Sequence, residues 1–270
     1  MILRGSKHII WIGDCLKILP TLTETVHLIV TSPPYFAQKD YGNDPDNLEN
    51  AKSWNEYIEK LGESLFYMYK SLVGGGRCCI VIDDKYTSIK THGENFNYGT
   101  HAHIINLAQK VGFLYKGLLI WRKMRNAHAS GGARYLLGSF PYPPNIPIVT
   151  MFEFILIFAK KGKRKISQEV KEKSKLSKMD FKLLSEGIWN VHPERKPYGK
   201  CPSPFPLEIP RRLIRLFSFV GDIVLDPFAG SGTTLLAAVL EGRIGWGIEI
   251  NPEFAYEAHE RVSSCLLGGD

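Results

Sequence analysis

The 270-residue sequence predicts a single α/β domain with a mostly parallel sheet and helices on both faces of it. Short apolar segments typical of strands alternate along the chain with segments whose apolar residues recur at helical spacing. Hydrophobic residues make up 44% of the chain, which predicts a packed core and argues against disorder. We therefore expect one domain over residues 1–270, with insertions at 122–147 and 161–188.

The first half of the chain supplies five predicted strands and one long helix. The strands are predicted over 8–14, 26–32, 77–83, 113–121 and 152–160. The helix between Ser53 and Leu72 begins at a capping box of Ser53 and Glu56 and ends at the three glycines 74–76. Residues 122–147 hold four prolines and show no periodicity, so we expect a long loop there.

The last third of the chain continues the alternation of helices and strands. A helix is predicted over 205–218, then a strand, a glycine turn and a helix over 222–242, and a strand over 244–250. Asn251 caps a final helix that has Pro252 at its first position. These segments bring the predicted strands to seven.

The apolar segments argue against a membrane-spanning or secreted protein, and the cysteines argue against a disulfide framework or a metal site. The longest apolar run, 154–159, is too short to cross a bilayer, and the first residues lack the features of a signal peptide. We therefore expect a cytoplasmic protein that does not bind membranes. The five cysteines show neither disulfide nor metal-ligand spacing, so no metal is expected.

The positive charge of the chain is concentrated in one segment. Residues 160–182 hold ten Lys or Arg and three Asp or Glu, a net charge of +7, which equals the net charge of the whole chain. A basic segment on a neutral body suggests a polyanionic partner, and the alternative is a solvated surface loop.

The sequence LIVTSPPYF, residues 28–36, ends an apolar strand with two prolines. Proline cannot donate to a sheet ladder and restricts the residue before it, so Ser32, Pro33, Pro34 and Tyr35 are predicted to form a stiff, non-helical finger. In open α/β sheets the carboxyl ends of strands are where ligands bind. We therefore expect the finger to lie at a ligand site.

A second motif, DPFAGSGTT at 226–234, opens a helix directly after a strand. Gly230 and Gly232 allow a tight turn, but the lysine of a phosphate-binding loop is absent and Leu235 replaces the third glycine of a dinucleotide site. Glu249, at the end of the next strand, can accept hydrogen bonds from ribose hydroxyls. The pattern fits a nucleoside without a phosphate chain, such as S-adenosylmethionine. The alternative is an ordinary strand–turn–helix junction.

The finger carries the groups that methylation of an exocyclic base amine needs. The amine is a poor nucleophile because its lone pair is delocalised into the ring. Hydrogen bonds from both amine hydrogens, to the Ser32 hydroxyl and the Pro33 carbonyl, would direct that lone pair toward the methyl group. Tyr35 can stack on a base that has left its helix. A base of shifted pKa is not required, since the product cation is acidic.

TSPPY together with DPFAGSGTT resembles the amino-methyltransferases of DNA, and the order of the motifs resembles their permuted β group. The resemblance implies a Rossmann-like, S-adenosylmethionine-dependent fold with a seven-stranded, circularly permuted sheet. The first motif would hold the target amine through the catalytic residues Ser32, Pro33, Pro34 and Tyr35. GDCL at 13–16 resembles the segment whose acid binds the cofactor adenine. Residues 192–214 resemble the segment that enters the methionine side, with extra residues between His192 and 203–206.

The resemblance and the basic segments give the candidate binding residues. The cofactor candidates are Asp14, Cys15, Thr31, Phe205, Pro206, Asp226, Pro227, Phe228, Gly230, Gly232, Thr233 and Glu249. The candidates for contact with duplex DNA are Arg122, Arg125 and Arg134 in the loop, and Lys163, Lys165, Lys173 and Lys175 in the basic segment.

Ser32 favours the N4 amine of cytosine as the acceptor, because family members with Asp at this position mostly modify adenine N6. The resemblance further suggests a restriction–modification system, with a cognate endonuclease and a homodimer as partner candidates. The alternatives are adenine N6, an RNA base or a protein amide as the acceptor, and an inactive DNA-binding module on the same fold. Ring-carbon methylation is excluded because no cysteine follows a proline. A nicotinamide dehydrogenase is excluded by the missing third glycine.

Overall fold

The computed structural model describes residues 1–36, 48–84, 87, 96–124, 141–142, 151–194 and 205–267. The strands are β1 Ile2–Arg4, β2 His8–Ile12, β3 Val26–Thr31, β4 Leu72–Ile82, β5 Leu114–Lys123, β6 Phe152–Ala159, β7 Ile188–Val191, β8 Ile223–Asp226 and β9 Ile244–Glu249. The helices are α1 Cys15–Ile18, α2 Trp54–Ser71, α3 Thr100–Val111, α4 Gln168–Lys173, α5 Lys178–Leu184, α6 Glu208–Phe217, α7 Thr233–Leu240 and α8 Pro252–Leu267. Short 3₁₀ turns lie at Leu19–Thr21 and Leu48–Asn50.

The described strands form one nine-stranded sheet in the order β1-β2-β9-β8-β3-β4-β6-β5-β7. Strands β2, β9, β8, β3 and β4 are parallel, so the predicted α/β class with a mostly parallel sheet is confirmed. The sheet has two strands more than the seven expected. The additional strands, β1 and β7, are the outermost strands of the sheet and are only three and four residues long.

Strand β6 reverses the direction of the sheet. It pairs antiparallel with both β4 and β5, so Phe154 lies beside Ile82 at the end of β4, and Ala159 lies beside Arg77 nearer its start. We call the side of the sheet where β2, β3, β4, β8 and β9 end the carboxyl edge, and the opposite side the amino edge. The chain therefore leaves β6 at the amino edge.

Helices cover both faces of the sheet, as predicted. Alternate residues of β3 and β4 point to opposite faces, because side chains alternate along a strand. Ile29, Cys78 and Ile80 enter a core with α2 and α3, whereas Val30 and Cys79 enter a core with α6 and α7. The adjacent cysteines are thus core residues on opposite faces of the sheet. A third core packs α7 and α8 against β2.

Four helices lie where no helix was predicted, and the first of them is the single turn α1 directly after Asp14. Helix α3 begins after Gly99, and α4 and α5 occupy part of the segment 161–188. Ser167 and Ser177 cap α4 and α5 by accepting hydrogen bonds from backbone N–H groups three residues ahead. Among the helices in the described ranges, none has the length and apolar composition needed to cross a membrane.

Candidate active site at the carboxyl edge

Asp226 joins the two sequence motifs at the carboxyl edge. Its Oδ1 accepts a hydrogen bond from Thr31 Oγ1 at 2.6 Å, and its Oδ2 accepts one from Thr234 Oγ1 at 2.7 Å. Phe228 N also donates to Oδ1, at 3.1 Å. The end of β3, which leads into the finger, is thus bonded to the start of α7 through one buried carboxylate. Burial raises the pKa of Asp226 to about 6.

The glycine turn between β8 and α7 is held by Glu249. Gly230 N donates to Glu249 Oε2 at 2.7 Å, and Asn251 N donates to Oε1 at 2.9 Å. Burial raises the pKa of Glu249 to about 7, and the nearby Asp226 adds to that rise while the backbone hydrogen bonds oppose it. A carboxylate thus lies directly beneath the turn that opens α7.

Gly232 fits its position for two reasons. Its φ of +74° lies in the left-handed region, and a Cβ built on it would come within 2.8 Å of the Ala258 Cβ. The missing side chain therefore lets the turn pack directly on α8.

Asp14 lies between the end of the neighbouring strand β2 and the start of α1. Gly13 N donates to the Glu249 carbonyl at 2.9 Å, which joins the end of β2 to the end of β9. Asp14 Oδ1 caps α1 by accepting from Leu16 N at 2.9 Å, and its side chain is half-buried. The acids Asp14 and Glu249 thus follow the ends of two adjacent strands, β2 and β9.

The finger is anchored by hydrogen bonds at two positions. Tyr57, from α2, donates its hydroxyl to the Pro34 carbonyl at 3.0 Å. The Tyr35 hydroxyl donates to Glu153 Oε2 at 3.3 Å, and the Ser32 side chain hydrogen-bonds to Tyr35. The residues predicted as catalytic are therefore consecutive, fixed and close to the Asp226 junction.

A polar cluster that the sequence analysis did not single out lies beside the finger. Lys123 Nζ is 2.6 Å from Glu153 Oε1 and 3.9 Å from Asp83 Oδ2. Asp84 accepts a hydrogen bond from His101 N at 3.0 Å and also contacts the His101 ring, which stacks on Phe154 with ring centroids 4.1 Å apart. The sequence pattern that could have pointed to this cluster is the charged Glu153 inside the apolar segment FEFILIFA.

The cofactor candidates are brought together on the adjacent ends of β2, β9, β8 and β3 and at the start of α6, but they differ in exposure. Four of the cofactor candidates have buried side chains that form hydrogen bonds to other parts of the protein. They are Cys15, Thr31, Asp226 and Thr233. Thr31 and Asp226 bond to each other, and Thr233 accepts a hydrogen bond from Arg261. That these four residues contact the cofactor stays a prediction. Pro206, Pro227 and Gly232 are buried as well. The half-buried candidates are Asp14, Phe205, Phe228 and Gly230.

The DNA candidates divide between the two edges of the sheet. Arg122 is exposed at the end of β5, on the carboxyl edge. Arg125 and Arg134 lie outside the described residues. The basic segment follows the antiparallel β6, so it begins at the amino edge, on the opposite side of the sheet from the finger. That its lysines bind DNA stays a prediction.

The basic segment is fixed at the amino edge by several contacts. Lys160 N bonds to the Gly76 carbonyl, Arg164 forms an ion pair with Asp222 before β8, and Ser174 Oγ accepts from Val220 N. The exposed lysines of this segment therefore lie on the side of the sheet opposite the finger. They are Lys163, Lys165, Lys173 and Lys175.

Comparison with known proteins identifies the family. Residues 26–260 match the family model for DNA methylases that modify N6 or N4 amines. The chain belongs to this DNA methylase family. The chain is also 34% identical over 284 residues to the type II methyltransferase M.MjaI of Methanocaldococcus jannaschii, covering 95% of this methylase and 91% of the relative. It is 39% identical over 313 residues to M.BglI of Bacillus subtilis, with 94% and 85% covered.

Solved structures agree with this membership. TTHA0409 of Thermus thermophilus, assigned to the DNA modification methylases and crystallised with S-adenosyl-L-methionine, superposes on this methylase with a TM-score of 0.77. The two chains are 37% identical, with 96% of this methylase and 94% of TTHA0409 covered. The PvuII DNA methyltransferase, described as cytosine-N4-specific, shares the fold with a TM-score of 0.67 at 19% identity, and 98% and 94% of the chains are covered.

The methylase family depends on S-adenosylmethionine, and the residues at the carboxyl edge fit that cofactor. The glycine turn has no lysine for a phosphate, which matches a nucleoside that lacks one. The carboxylates of Asp14 and Glu249 can accept hydrogen bonds from an adenine amine and ribose hydroxyls, and their negative charge suits a cationic ligand. When bound, the cofactor supplies an electrophilic methyl group.

Proposed function

We propose that this methylase transfers the methyl group of S-adenosylmethionine to the N4 amine of a cytosine flipped out of duplex DNA. The observation that carries the proposal is the serine at the first position of the finger. Ser32 offers a neutral hydroxyl to an amine hydrogen, and a serine at this position is typical of the cytosine-modifying members of the family. The type II names of the relatives M.MjaI and M.BglI support a DNA substrate.

In this proposal the finger orients the amine. The Ser32 hydroxyl and the Pro33 carbonyl accept its two hydrogens, which leaves the nitrogen lone pair free for the methyl group. The Pro34 carbonyl already accepts from Tyr57, so it braces the finger. Tyr35 stacks on the flipped cytosine, and its hydroxyl bond to Glu153 fixes the ring for that contact.

We assign cofactor binding to the edge next to the finger. Glu249 accepts from the ribose hydroxyls, Asp14 from the adenine amine, and the half-buried aromatic rings of Phe205 and Phe228 cover the apolar parts of the ligand. The Asp226 junction holds this edge against the finger, so that the methyl group and the amine meet within bonding range.

The relatives' names also suggest a biological role for the methylation. We propose that the methylase protects cellular DNA in the cytoplasm, at the nucleoid, against a cognate restriction endonuclease of a type II system. A homodimer stays a prediction.

Mass spectrometry of the product tests the base assignment. PCR-amplified DNA, which carries no methylation, is incubated with the enzyme and S-adenosylmethionine and then digested to nucleosides. We expect N4-methylcytosine, absent when Tyr35→Ala protein is used although that variant still binds the cofactor. N6-methyladenine alone would identify the adenine-modifying class, and no methylated nucleoside from any sequence would support an inactive DNA-binding module. Methylation-sensitive sequencing of the same DNA gives the recognition sequence.

A further inference from the structure

A row of hydrogen-bonded side chains runs from the finger into the sheet, and the methyl transfer described above does not use its far end. The row consists of Ser32, Tyr35 and Glu153, with Lys123 beyond. We propose that Ser32, Tyr35 and Glu153 form a proton relay that takes up the proton lost by the methylated amine. The inference rests on the proposed role of Ser32 as acceptor of an amine hydrogen, and it holds for cytosine and adenine alike.

The directions of the hydrogen bonds suit a relay. Tyr35 donates its hydroxyl hydrogen to Glu153 Oε2 at 3.3 Å. Because Tyr35 has a single hydroxyl hydrogen and gives it to Glu153, Ser32 is the donor in the bond between Ser32 and Tyr35. Burial, followed by Glu153, raises the pKa of Tyr35 well above its usual value, whereas the Ser32 hydrogen bond lowers it. Ser32 then keeps its oxygen lone pairs for the amine hydrogen, and Tyr35 stays protonated as a relay member must.

Glu153 has the features of a terminal acceptor. It lies on β6 with only 9% of its surface exposed, although it is acidic and is flanked by Phe152 and Phe154. Its two oxygens have separate partners, since Lys123 Nζ is 2.6 Å from Oε1 while Tyr35 donates to Oε2. Lys123 compensates the buried charge, which would otherwise carry a large desolvation cost. Oε2 is therefore the atom that can receive the proton.

The proton transfer balances in three steps. As the bond between the amine nitrogen and the methyl carbon forms, the sulfur–methyl bond breaks and the nitrogen becomes positively charged. The nitrogen then passes a proton to Ser32 Oγ, Ser32 passes its own proton to the Tyr35 oxygen, and Tyr35 passes its proton to Glu153 Oε2. Ser32 and Tyr35 end neutral, and Glu153 ends as a carboxylic acid that returns the proton to water. A carboxylate is basic enough to accept this proton, because the methylated amine cation is a strong acid.

Two variants interrupt the relay at different bonds. Glu153→Gln keeps an acceptor for Tyr35 and the size of the side chain, but an amide does not take up the proton. Tyr35→Phe keeps the ring and removes the hydroxyl that links Ser32 to Glu153. We expect each to lower the single-turnover rate of methylation of PCR-amplified DNA by about 10²-fold or more. The double variant should be no slower than the slower single variant, because both interrupt one path.

A pH profile distinguishes proton uptake from simple support of Tyr35. A relay that ends on a carboxylate should slow at low pH, and Glu153→Gln should lose that part of the profile. Among the described residues, the charged or titratable groups that face Glu153 are Tyr35 from the finger, Lys123 from β5 and, through Lys123, Asp83 from β4. Glu59→Gln, on the exposed side of α2, is the control that should leave rate and profile unchanged.

The rates and pH profiles of the two variants either support or overturn the proton relay. Glu153→Gln with the wild-type rate, or slow but with the wild-type fall at low pH, would show that Glu153 only supports Tyr35. Tyr35→Phe at the wild-type rate overturns the relay even if Glu153→Gln does not fold. Calorimetry should show unchanged S-adenosylmethionine binding in both variants. If wild-type protein methylates no DNA, the proposed function fails, which is a separate result from normal methylation by the variants.

Discussion

Glu249 is the residue to which we assign the most direct part in cofactor binding. Both of its oxygens accept backbone N–H groups from the turn and from Asn251, so the carboxylate is already oriented toward the end of the sheet. Its replacement removes the acceptor for ribose hydroxyls and the support of the turn together.

Glu249→Ala should weaken binding of S-adenosylmethionine by about 1–3 kcal/mol, because charged hydrogen bonds to the ligand are lost. Isothermal titration calorimetry measures the change. Glu59→Ala, an acid-to-alanine change on the exposed side of α2, is the matched control and should bind as the wild type does. Equal affinity of Glu249→Ala and the control would remove Glu249 from the cofactor site.

At the scale of elements, the packing of α7 on α8 depends on one glycine. Gly232 and Gly221 both have positive φ, +74° and +84°, but an added Cβ meets Ala258 at 2.8 Å in the first case and nothing within 4 Å in the second. Gly232→Ala should therefore destabilise the protein by about 1–3 kcal/mol more than Gly221→Ala, because the two helices must separate. Urea unfolding of both variants isolates the clash, and equal losses would mean that only the backbone conformation matters.

The two edges of the sheet should respond differently to loss of positive charge. Arg122 is exposed on the carboxyl edge, whereas Lys173 and Lys175 lie at the amino edge and already pair with Glu169 and Glu172. From Arg77 to Ile82 alone, β4 spans roughly 17 Å at the usual rise per residue.

We expect Arg122→Ala to flatten the log–log salt dependence of DNA binding by about 1 unit, since one phosphate contact is lost. The double variant Lys173→Ala and Lys175→Ala should leave the slope unchanged, although it removes twice the charge. Filter binding over a salt series measures both. A flattened salt dependence in the lysine variant would show instead that the basic segment contacts DNA.

For the whole molecule, the buried carboxylates predict a pH dependence of stability. The pKa of Glu249 is raised to about 7 and that of Asp226 to about 6, so the folded protein binds more protons than the unfolded chain at mildly acidic pH. Their contribution to stability is full below the carboxyl pKa values of the unfolded chain and is lost as pH rises through 6 and 7. Each raised pKa corresponds to roughly 2–4 kcal/mol.

Glu249→Gln should therefore lose less stability than the wild type between pH 5 and pH 8, measured by urea unfolding without cofactor. Comparing the two proteins cancels the contribution of other groups, such as the buried His8, whose lowered pKa of about 4 acts in the opposite direction. Parallel profiles for the two proteins would contradict the assignment of the raised pKa to Glu249.

The sequence was sufficient for those parts of the molecule that depend on local chemistry. Proline geometry after β3 and glycine geometry after β8 located the finger and the turn, and alternation of strands and helices predicted the parallel sheet. Features that depend on pairing across the chain were not predicted. The antiparallel direction of β6 is set by its neighbours, so neither the position of the basic segment nor the approach of Glu153 to Tyr35 could be read from local patterns. The bond between Thr31 and Asp226 joins residues 195 positions apart, so it too could not be read from local patterns.

That long-range bond has a consequence for synthesis of the protein. A ribosome releases the finger early, but the partners that complete its side of the sheet, β8 and β9, are translated only in the last fifth of the chain. Until then β3 lacks one neighbour, β2 lacks its parallel partner, and the Thr31 hydroxyl has no carboxylate to bond. We therefore expect a nascent chain to expose apolar strands for most of its translation, a condition that favours aggregation. A chain that ends before β8 has no Asp226 to join the finger to the glycine turn.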